Sequence, residues 1–334
     1  MNPTELKKAF DSFNKLNVLI IGDLMLDVYY WGDVNRISPE APVPIVTVDK
    51  KESRMGGAAN VAINIQAMGA TPILCGVIGD DANGEQLIKI LKGKKLSSEG
   101  ILVSNNRPTT TKTRIISSNH HIVRIDDETD EYIGDVQTKN LFIQIEKIIE
   151  DKKINVIIFE DYDKGVISAT LIKKVVTLAE KHRIPTVVDP KKRNFTNYIG
   201  VTLFKPNLKE LREGLKVDVQ SEDLKKVQTV TEQLRREQKI ANVLVTLSEH
   251  GVFINSEKEK KRVPAHVRKI SDVSGAGDTV VSIAALCSAL QLPPTEIAFL
   301  SNLAGGQVCE KAGVVAVDKK QLLKEALYYM NGNK

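Results

Sequence analysis

Short, continuous apolar runs alternate with longer amphipathic segments along most of the chain, and this alternation is what most constrains its fold. The first run covers residues 17–21, and further runs follow at 72–77, 154–160 and 243–247. An unbroken run of aliphatic residues is typical of a strand that is buried on both faces. Segments of helical periodicity are expected near 84–92, 137–150, 168–181, 221–236, 295–311 and 319–331. The sequence therefore predicts an α/β protein, with a mainly parallel sheet between two layers of helices.

Two sections of different character interrupt this alternation. Residues 28–52 are rich in aromatic, β-branched and proline residues, and residues 109–127 hold two β-rich segments around the turn Ser117-Ser118-Asn119. We expect short strands here, outside the main sheet, that form a small antiparallel lid on the α/β body. Because no repeat and no low-complexity linker is found, residues 1–334 are expected to form one domain that includes this lid.

Composition limits the partners and the compartment. The 334 residues include 47 basic and 42 acidic side chains, which are mixed along the chain and give a net charge of +5. No arginine-rich arm or basic–aromatic stripe is present, so nucleic acid is not an expected partner. Cys75, Cys287 and Cys309 lie far apart among apolar or small neighbours, which predicts buried thiols in a reducing compartment. With no signal peptide and no run of membrane-spanning length, we expect a soluble, cytoplasmic protein without a membrane partner.

The strongest candidate for chemistry is the stretch SDVSGAGDTV at residues 271–280. Gly275, Ala276 and Gly277 stand at the expected start of an apolar helix, where open N–H groups and the helix dipole favour an anion. Asp278 follows them, and a carboxylate beside an anion is explained if it accepts a proton from an attacking hydroxyl during phosphoryl transfer. Taken alone, these residues are equally consistent with an ordinary glycine-rich turn.

Residues near the first strand are candidates for binding the other reactant. Asp23 and Asp27 come just after residues 17–21, at the edge where α/β sheets bind ligands. Gly56, Gly57 and Asn60 open the next helix, where small residues permit close approach of a ligand and an amide can bind hydroxyls. Packing of these small residues against a neighbouring strand is the alternative interpretation.

Cations in the lid indicate the charge of that reactant. Lys112 and Arg114 alternate onto one face of a strand, and Arg124 lies on the next strand. Three cations on one face suit an anionic acceptor such as a sugar phosphate, and solubility of the lid is the alternative.

Polar junctions also follow later strands, at 161–165, 189–192 and 205–210. Glu210 stands in the first turn of a predicted helix, where capping is the simplest role for an acid.

Other classes of enzyme lack their signatures. No HExxH or Cys-x-x-Cys pattern supports a metal hydrolase, and no Gly-x-Ser-x-Gly supports a serine hydrolase. A Walker A loop is also missing, and Gly275-Ala276-Gly277 lacks the third glycine and the position of a dinucleotide loop. Phosphoryl transfer by a route without a Walker loop remains, with acidic residues to organise Mg²⁺.

Along almost its whole length the chain resembles the PfkB/ribokinase-like carbohydrate kinases. Asp272-x-x-Gly275-Ala276-Gly277-Asp278 is similar to their C-terminal signature, and Gly56-Gly57-Ala58-Ala59-Asn60 to their N-terminal one. The chain is more closely similar to the D-glycero-β-D-manno-heptose-7-phosphate kinases of ADP-heptose synthesis. The segments that carry this closer resemblance are GDLMLD at 22–27, RISPEAPVP at 36–44, TKTR at 111–114, DYDKG at 161–165, DPK at 189–191 and PNLKE at 206–210.

This resemblance implies a ribokinase-like αβα sandwich whose β lid pairs with the lid of a second subunit in a homodimer. It implies transfer of the ATP γ-phosphoryl group to the anomeric hydroxyl of heptose 7-phosphate, with Asp278 as the base and the amides of Gly275, Ala276 and Gly277 around the phosphoryl. The implied cofactors are ATP and Mg²⁺, and a monovalent cation is left open as a third.

The resemblance also implies two sets of binding residues. Those near ATP are Asn207, Glu210, Thr246, Ser248, Gly251, Asp272 and Asn302, with Glu210 close to Mg²⁺ through water. Those near the sugar phosphate are Asp23, Asp27, Arg36, Gly56, Gly57, Asn60, Lys112, Arg114, Arg124, Lys164, Asp189 and Lys191.

The chain departs from the family pattern at two positions. Ser274 stands where threonine is usual, and Glu160 stands where a small residue is commoner. No His-x-Gly-His signature is present, so no nucleotidyltransferase domain is expected.

Two alternative functions stay open: a kinase of the same fold for a fructose phosphate, ribose or a nucleoside, and an inert sugar-binding or regulatory protein.

Overall fold

The structure is a computed structural model that describes residues 1–118, 120–266 and 268–330. The helices, in chain order, are α1 (Pro3–Ser12), α2 (Ala58–Ala67), α3 (Ala82–Gly93), α4 (Gly134–Asp151), α5 (Ala169–His182), α6 (Leu208–Leu215), α7 (Leu224–Glu237), α8 (Ala276–Ala289), α9 (Pro294–Cys309) and α10 (Lys319–Met330). The strands are β1 (Asn17–Gly22), β2 (Leu24–Ile37), β3 (Pro44–Gly57), β4 (Thr71–Gly79), β5 (Ser97–Ser104), β6 (Thr111–Ser117), β7 (His120–Asp127), β8 (Val156–Glu160), β9 (Thr186–Asp189), β10 (Leu203–Phe204), β11 (Asn242–Thr246), β12 (Val252–Ser256) and β13 (Lys260–Val263).

In the described part of the chain, the main sheet has the order β13-β12-β11-β10-β9-β8-β1-β4-β5. All neighbours from β5 to β11 are parallel, whereas β12 and β13 are antiparallel to their neighbours. Only a short turn joins β11 to β12, and such a turn can connect antiparallel strands but not parallel ones. The predicted α/β class with a mainly parallel sheet is therefore confirmed. Residues 257–259 form the tip of the β12–β13 hairpin, and the charged residues 260–262 that follow belong to the edge strand β13.

Each face of this sheet carries its own apolar core. In β1, Ile20 belongs to the core that includes residues of α1, α2, α3, α8, α9 and α10, whereas Ile21 belongs to the core on the other face, with residues of α4 to α7. Both side chains are fully buried, and burial of such a side chain contributes roughly 1.5–3 kcal/mol. A strand buried on both faces needs apolar residues at every position, which explains the unbroken apolar runs of the sequence.

A second sheet, which we call the lid, has the order β3-β2-β6-β7. Its first two strands are each 14 residues long, not short as expected. Its central pair, β2 and β6, is parallel, so the expectation of an antiparallel lid is wrong for that pair. The reason is that both strands leave the α/β body side by side, Leu26 opposite Thr111, and run outward together.

Smaller differences concern the ends of elements. The helix expected to start at 275–277 begins at Ala276, and Asp27 lies inside β2 and not in a loop after β1. Asn119 of the predicted lid turn and Asn331 of the predicted last helix lie outside the described residues. Among the helices described, none combines the length and the apolar character needed to cross a bilayer.

Candidate active site

Asp278 lies in the first turn of α8, at the carboxyl edge of the main sheet. Gly275 precedes the helix with φ of 78°, a left-handed conformation that suits glycine, and no side chain caps this end. The Ala276 N–H is bonded to the carbonyl of Val273 at 3.2 Å. Gly277 N–H belongs to the first turn, where an amide has no acceptor within the helix. The stretch is thus a true helix start, and Gly277 is its best placed amide for an anion.

The Asp278 carboxylate is buried and held by two donors. Asn60 Nδ2 donates to Oδ2 at 2.5 Å, and the Tyr162 hydroxyl donates to Oδ1 at 2.8 Å. Burial raises the pKa of Asp278 to about 6, although the two hydrogen bonds lower it. Near pH 7 the group is mostly ionised and can accept a proton, as a general base requires.

The N-terminal glycine motif meets this carboxylate directly. Gly57, with φ of 54°, ends β3 and precedes α2, and the N–H of Ala58 donates to the carbonyl of Asp23 at 3.0 Å. Asn60, one turn into α2, lies close to Gly275 as well as to Asp278. The structure therefore brings together the two motifs on which the resemblance rests.

The partners of Asp23 within the chain are backbone amides. Its buried carboxylate accepts backbone N–H groups of Tyr162, Lys164 and Val166, at 2.8, 3.1 and 3.2 Å. Burial raises the pKa of Asp23, and these hydrogen bonds partly offset the increase. In this structure Asp23 holds the loop after β8, and that loop carries Tyr162 to Asp278.

The lid cations share a face but are neutralised there. Arg114 and Arg124 are direct cross-strand partners. The ion pairs of these side chains are Lys112 with Asp126 and Glu128, Arg114 with Asp27, Arg124 with Asp126, and Lys164 with Glu128. Arg36 is exposed near the far end of β2, and Gly56 lies against the Asp27 carboxylate. The expected cationic face exists, with carboxylates in place of an anionic ligand.

Asn207 and Glu210 form a capping box at the start of α6. Asn207 N donates to Glu210 Oε2 and Glu210 N donates to Asn207 Oδ1, both at 2.8 Å. The other carboxylate oxygen of Glu210 contacts the ammonium group of Lys191. With both oxygens engaged, Glu210 can serve a metal ion through water more readily than directly.

A cavity of about 710 Å³ opens beside the start of α8. Its walls include Thr246, Ser248, Gly251 and Asn302, all expected near ATP, together with Gly277. A volume of this order is usual for small-molecule sites. Gly277 lines this cavity and Asp278 is the next residue in the chain, so the cavity lies next to the first turn of α8 that carries the carboxylate.

Other residues of this cavity give no signal in the sequence. His266, Arg268 and Gly306 line it. Asp272, which is predicted to lie near ATP, does not line this cavity and accepts N–H groups of Ser274 and Gly313, each at 2.9 Å. Its role in this structure is to shape the loop before α8.

Three acidic side chains converge at the end of the sheet. Glu160, Asp189 and Asp278 are buried and offer one oxygen each within 4.8 Å of one another. The buried Lys205 ammonium group lies 2.8 Å from Asp189 Oδ2. Burial and the charges of Asp189 and Asp278 raise the pKa of Glu160. Tyr162, Glu160 and Lys205 received no individual role from the sequence, although Tyr162 and Lys205 lie in the polar junctions 161–165 and 205–210 and Glu160 departs from the family pattern.

Comparisons with known proteins show the family of the chain and its fold. The pattern that defines the "pfkB family carbohydrate kinase" matches residues 15–321. The chain is 39% identical over 313 residues to "Bifunctional protein HldE" of Magnetococcus marinus, covering 93% of this chain and 64% of that protein. It is 36% identical over 321 residues to the protein of the same name from Aliarcobacter butzleri, covering 96% and 66%. The chain thus spans somewhat less than two thirds of the length of these relatives.

Solved structures of low identity share the fold. Phosphofructokinase-2 from Escherichia coli in complex with potassium superposes with a TM-score of 0.76 at 18% identity, over 95% of this chain and 99% of that one. Ribokinase of Arabidopsis thaliana complexed with ribose and ATP gives 0.71 at 16% identity, over 92% and 99%. The match to the family pattern covers most of the sequence, and the fold is that of ribokinase-like proteins. The chain therefore belongs to the pfkB family of carbohydrate kinases.

Proposed function

We propose that this carbohydrate kinase transfers the γ-phosphoryl group of ATP to the anomeric hydroxyl of D-glycero-β-D-manno-heptose 7-phosphate, giving the 1,7-bisphosphate, in ADP-heptose and lipopolysaccharide core synthesis. The observation that carries the proposal is the first turn of α8, where the buried carboxylate of Asp278 directly follows Gly277, whose amide is open and which lines the cavity. The heptose-kinase segments of the sequence and the similarity to the HldE proteins support this acceptor.

In the proposed reaction Asp278 takes the proton of the anomeric hydroxyl as that oxygen attacks phosphorus. Asn60 and Tyr162 hold the carboxylate and favour its ionised form. The Gly277 amide and the dipole of α8 stabilise negative charge on the transferring group. A positioned base contributes roughly 10²–10⁴-fold to such a rate.

ATP is proposed to occupy the cavity beside α8, in contact with Thr246, Ser248, Gly251 and Asn302. Asn207 and Glu210 lie on the same side of the sheet, since Asn207 forms a bridge with Thr246. Mg²⁺ would neutralise phosphate charge when bound. Because both Glu210 oxygens are engaged, Glu210 would hold this ion through water.

The 7-phosphate is proposed to bind at the lid. Lys112 and Lys164 both contact Glu128, and a phosphate could take the place of that carboxylate between them. Arg114 and Arg124 adjoin this pair on the same sheet, and Arg36 is proposed to act from the tip of β2. Phosphate offers more acceptor oxygens than a carboxylate, so the exchange gains charge-assisted hydrogen bonds.

The lid is also the proposed interface of a homodimer. Its strands and the β2–β3 connection expose large apolar side chains, among them Ile37 at 69%, Val43 at 52% and Ile125 at 52%. Such residues are usually covered when they lie together on a sheet.

Residues 1–334 are proposed to act as one kinase domain in the cytoplasm, where three buried, free thiols are stable.

The test is ADP release with heptose 7-phosphate, fructose 1-phosphate, fructose 6-phosphate, ribose and adenosine. We expect turnover to be fastest with heptose 7-phosphate. Turnover of ribose, adenosine or a fructose phosphate without turnover of heptose 7-phosphate would favour another kinase of the family. A protein that binds sugars without releasing ADP would be the inert alternative, which has no chemical need for a base at Asp278.

A further inference from the structure

Two lysines belong to the group of charges around Asp189, and they differ in how accessible they are. The Lys205 ammonium group is 2.8 Å from Asp189 Oδ2, and its side chain is only 3% exposed. Lys191 follows the end of β9 and keeps 32% of its side chain exposed. A bound molecule can therefore reach the ammonium group of Lys191, whereas that of Lys205 is enclosed by the protein.

The Lys191 ammonium group contacts one residue from each half of the proposed reaction. Its first contact is the Glu210 carboxylate in the first turn of α6, the helix whose N-cap residue forms a bridge with Thr246 of the cavity proposed for ATP. Its second contact is the Tyr162 ring, whose centre lies 5.3 Å from Nζ. The hydroxyl of that ring donates to Asp278 Oδ1 at 2.8 Å. Lys191 thus joins the side of the nucleotide to the side of the base.

The charge state of Lys191 limits what it can do. Burial lowers its pKa, but the carboxylates of Asp189 and Glu210 raise it more, so the net shift is upward. The side chain therefore keeps its proton and supplies positive charge to a reaction, not proton transfer. An ammonium group has three N–H donors, and the contact with Glu210 engages one of them in the described part of the chain. Donors remain for the oxygens of a bound phosphoryl group.

We propose that Lys191 is a catalytic residue whose ammonium group contacts the transferring γ-phosphoryl group and stabilises its charge in the transition state. This inference rests on the proposed function, because it takes the cavity beside α8 as the ATP site and Asp278 as the base. As the acceptor oxygen bonds to phosphorus, its proton passes to Asp278. The bond from phosphorus to the β–γ bridging oxygen breaks, and its electron pair leaves with ADP. Lys191 donates hydrogen bonds to the phosphoryl oxygens throughout.

The resemblance gives Lys191 a different role, near the sugar phosphate. Its contacts do not favour that role, because Lys191 contacts Glu210, whereas Lys112 and Lys164, the lysines proposed to bind the 7-phosphate, contact Glu128. The two roles predict different kinetics. A residue that holds the distal phosphate of the acceptor affects KM of the acceptor, whereas a residue that contacts the transferring group most strongly in the transition state affects kcat.

The first test replaces Lys191 by methionine, which has a similar length and no charge, and uses the acceptor that the wild type turns over fastest. We expect Lys191→Met to lower kcat by roughly 10²–10³-fold and to leave KM of the acceptor and Kd of ATP within about threefold of the wild type. Lys173→Met, at an exposed position of α5, is the matched control and should keep the wild-type kcat. Wild-type kinetics of Lys191→Met, or a raised KM at unchanged kcat, would overturn the proposal.

A second measurement separates the charge of Lys191 from any effect of its replacement on the fold. Lys191→Ala leaves space in which ethylammonium, added to the assay, can take the place of the side-chain ammonium group. We expect ethylammonium to raise kcat of this variant by about tenfold or more, because it restores a cation with N–H donors beside the phosphoryl group. Tetramethylammonium, which has no N–H donor, should not raise it.

The outcomes of this measurement are distinct. Rescue by ethylammonium alone supports the role of Lys191. With an active wild type, absence of rescue or equal rescue by both cations overturns that role and leaves the proposed function standing. A wild type that turns over no acceptor of the panel overturns the proposed function, and the role of Lys191 falls with it.

Discussion

The Asn60 amide donates a 2.5 Å hydrogen bond to the Asp278 carboxylate, although 218 residues separate the two in the chain. Asn60 lies on α2 and Asp278 on α8, and these helices pack on the same face of the main sheet. The close approach depends on Gly275, because a side chain there would press against Asn60. One hydrogen bond thus couples the two glycine motifs into a single site, and its acceptor is the group proposed to act as the base.

Replacement of this base should separate binding from chemistry. We expect Asp278→Asn to lower kcat by roughly 10²–10⁴-fold, because an amide cannot accept the proton, and to leave ATP binding little changed. ADP release and calorimetric ATP binding measure the two effects. Asp135→Asn, in the exposed first turn of α4, is the matched control. Turnover at the wild-type rate in Asp278→Asn would show that Asp278 is not the base.

The Tyr162 hydroxyl should influence how kcat/KM depends on pH. With the pKa of Asp278 at about 6, kcat/KM of the wild type should fall as the pH drops below that value, because the base becomes protonated. The Tyr162 hydrogen bond lowers this pKa, so Tyr162→Phe should move the acid limb to higher pH. The rate should then fall most near pH 6 and little near pH 8. Tyr132→Phe, at an exposed tyrosine, should leave the limb in place, and an unmoved limb in Tyr162→Phe would contradict the coupling.

Gly275 should tolerate no side chain. At its φ of 78°, an alanine costs about 1–2 kcal/mol in backbone strain, and its Cβ would lie 3.1 Å from Asn60 Nδ2. Gly275→Ala should therefore lower both stability, measured by urea unfolding, and kcat. Gly93→Ala is the control, since Gly93 is helical and an added Cβ meets nothing within 4 Å. That change should raise stability by about 0.5–1 kcal/mol. Equal effects of the two variants would exclude a special role for the Gly275 backbone.

Lys205 should be needed for the fold as well as for the site. Its ammonium group is the buried partner of Asp189, and burial lowers its pKa less than the surrounding carboxylates raise it. Lys205→Met leaves buried acids without their cation and should cost about 3–5 kcal/mol in urea unfolding. Lys209→Met removes an exposed partner of Glu213 and should change stability little. A small cost for Lys205→Met would mean that the acids are neutralised in another way.

Much of the architecture could be predicted because it depends on local patterns. An unbroken apolar run is needed wherever a strand has a core on both faces, as Ile20 and Ile21 show. The helix starts at Gly57 and Gly275 were also predictable, because their positive φ values favour glycine. Asn207 and Glu210 carry the spacing of a capping box, which the structure contains.

The pairing of polar groups was not predictable in the same way. The prediction for Asp23 is binding of the other reactant, and no pattern showed that its carboxylate accepts three backbone amides of a loop more than a hundred residues away in the chain. The prediction for the lid cations is binding of an anion, and no pattern showed that acids on neighbouring strands pair with them. Which groups pair by hydrogen bonds depends on the register of the strands and on which loops meet at the edge of the sheet. A local sequence pattern predicts neither the register nor the meeting of the loops.

By itself, the sequence determined the α/β class and the two glycine motifs, the second of which Asp278 follows directly, since these features depend on periodicity and on the conformations open to glycine. Only the tertiary structure decided that Glu160 stands beside Asp189 and Asp278. That arrangement follows from the parallel register of β8 and β9 and from the packing of α8 over their ends. Buried charges respond to the three-dimensional distances between groups, and these distances exist only once the strands have been placed side by side.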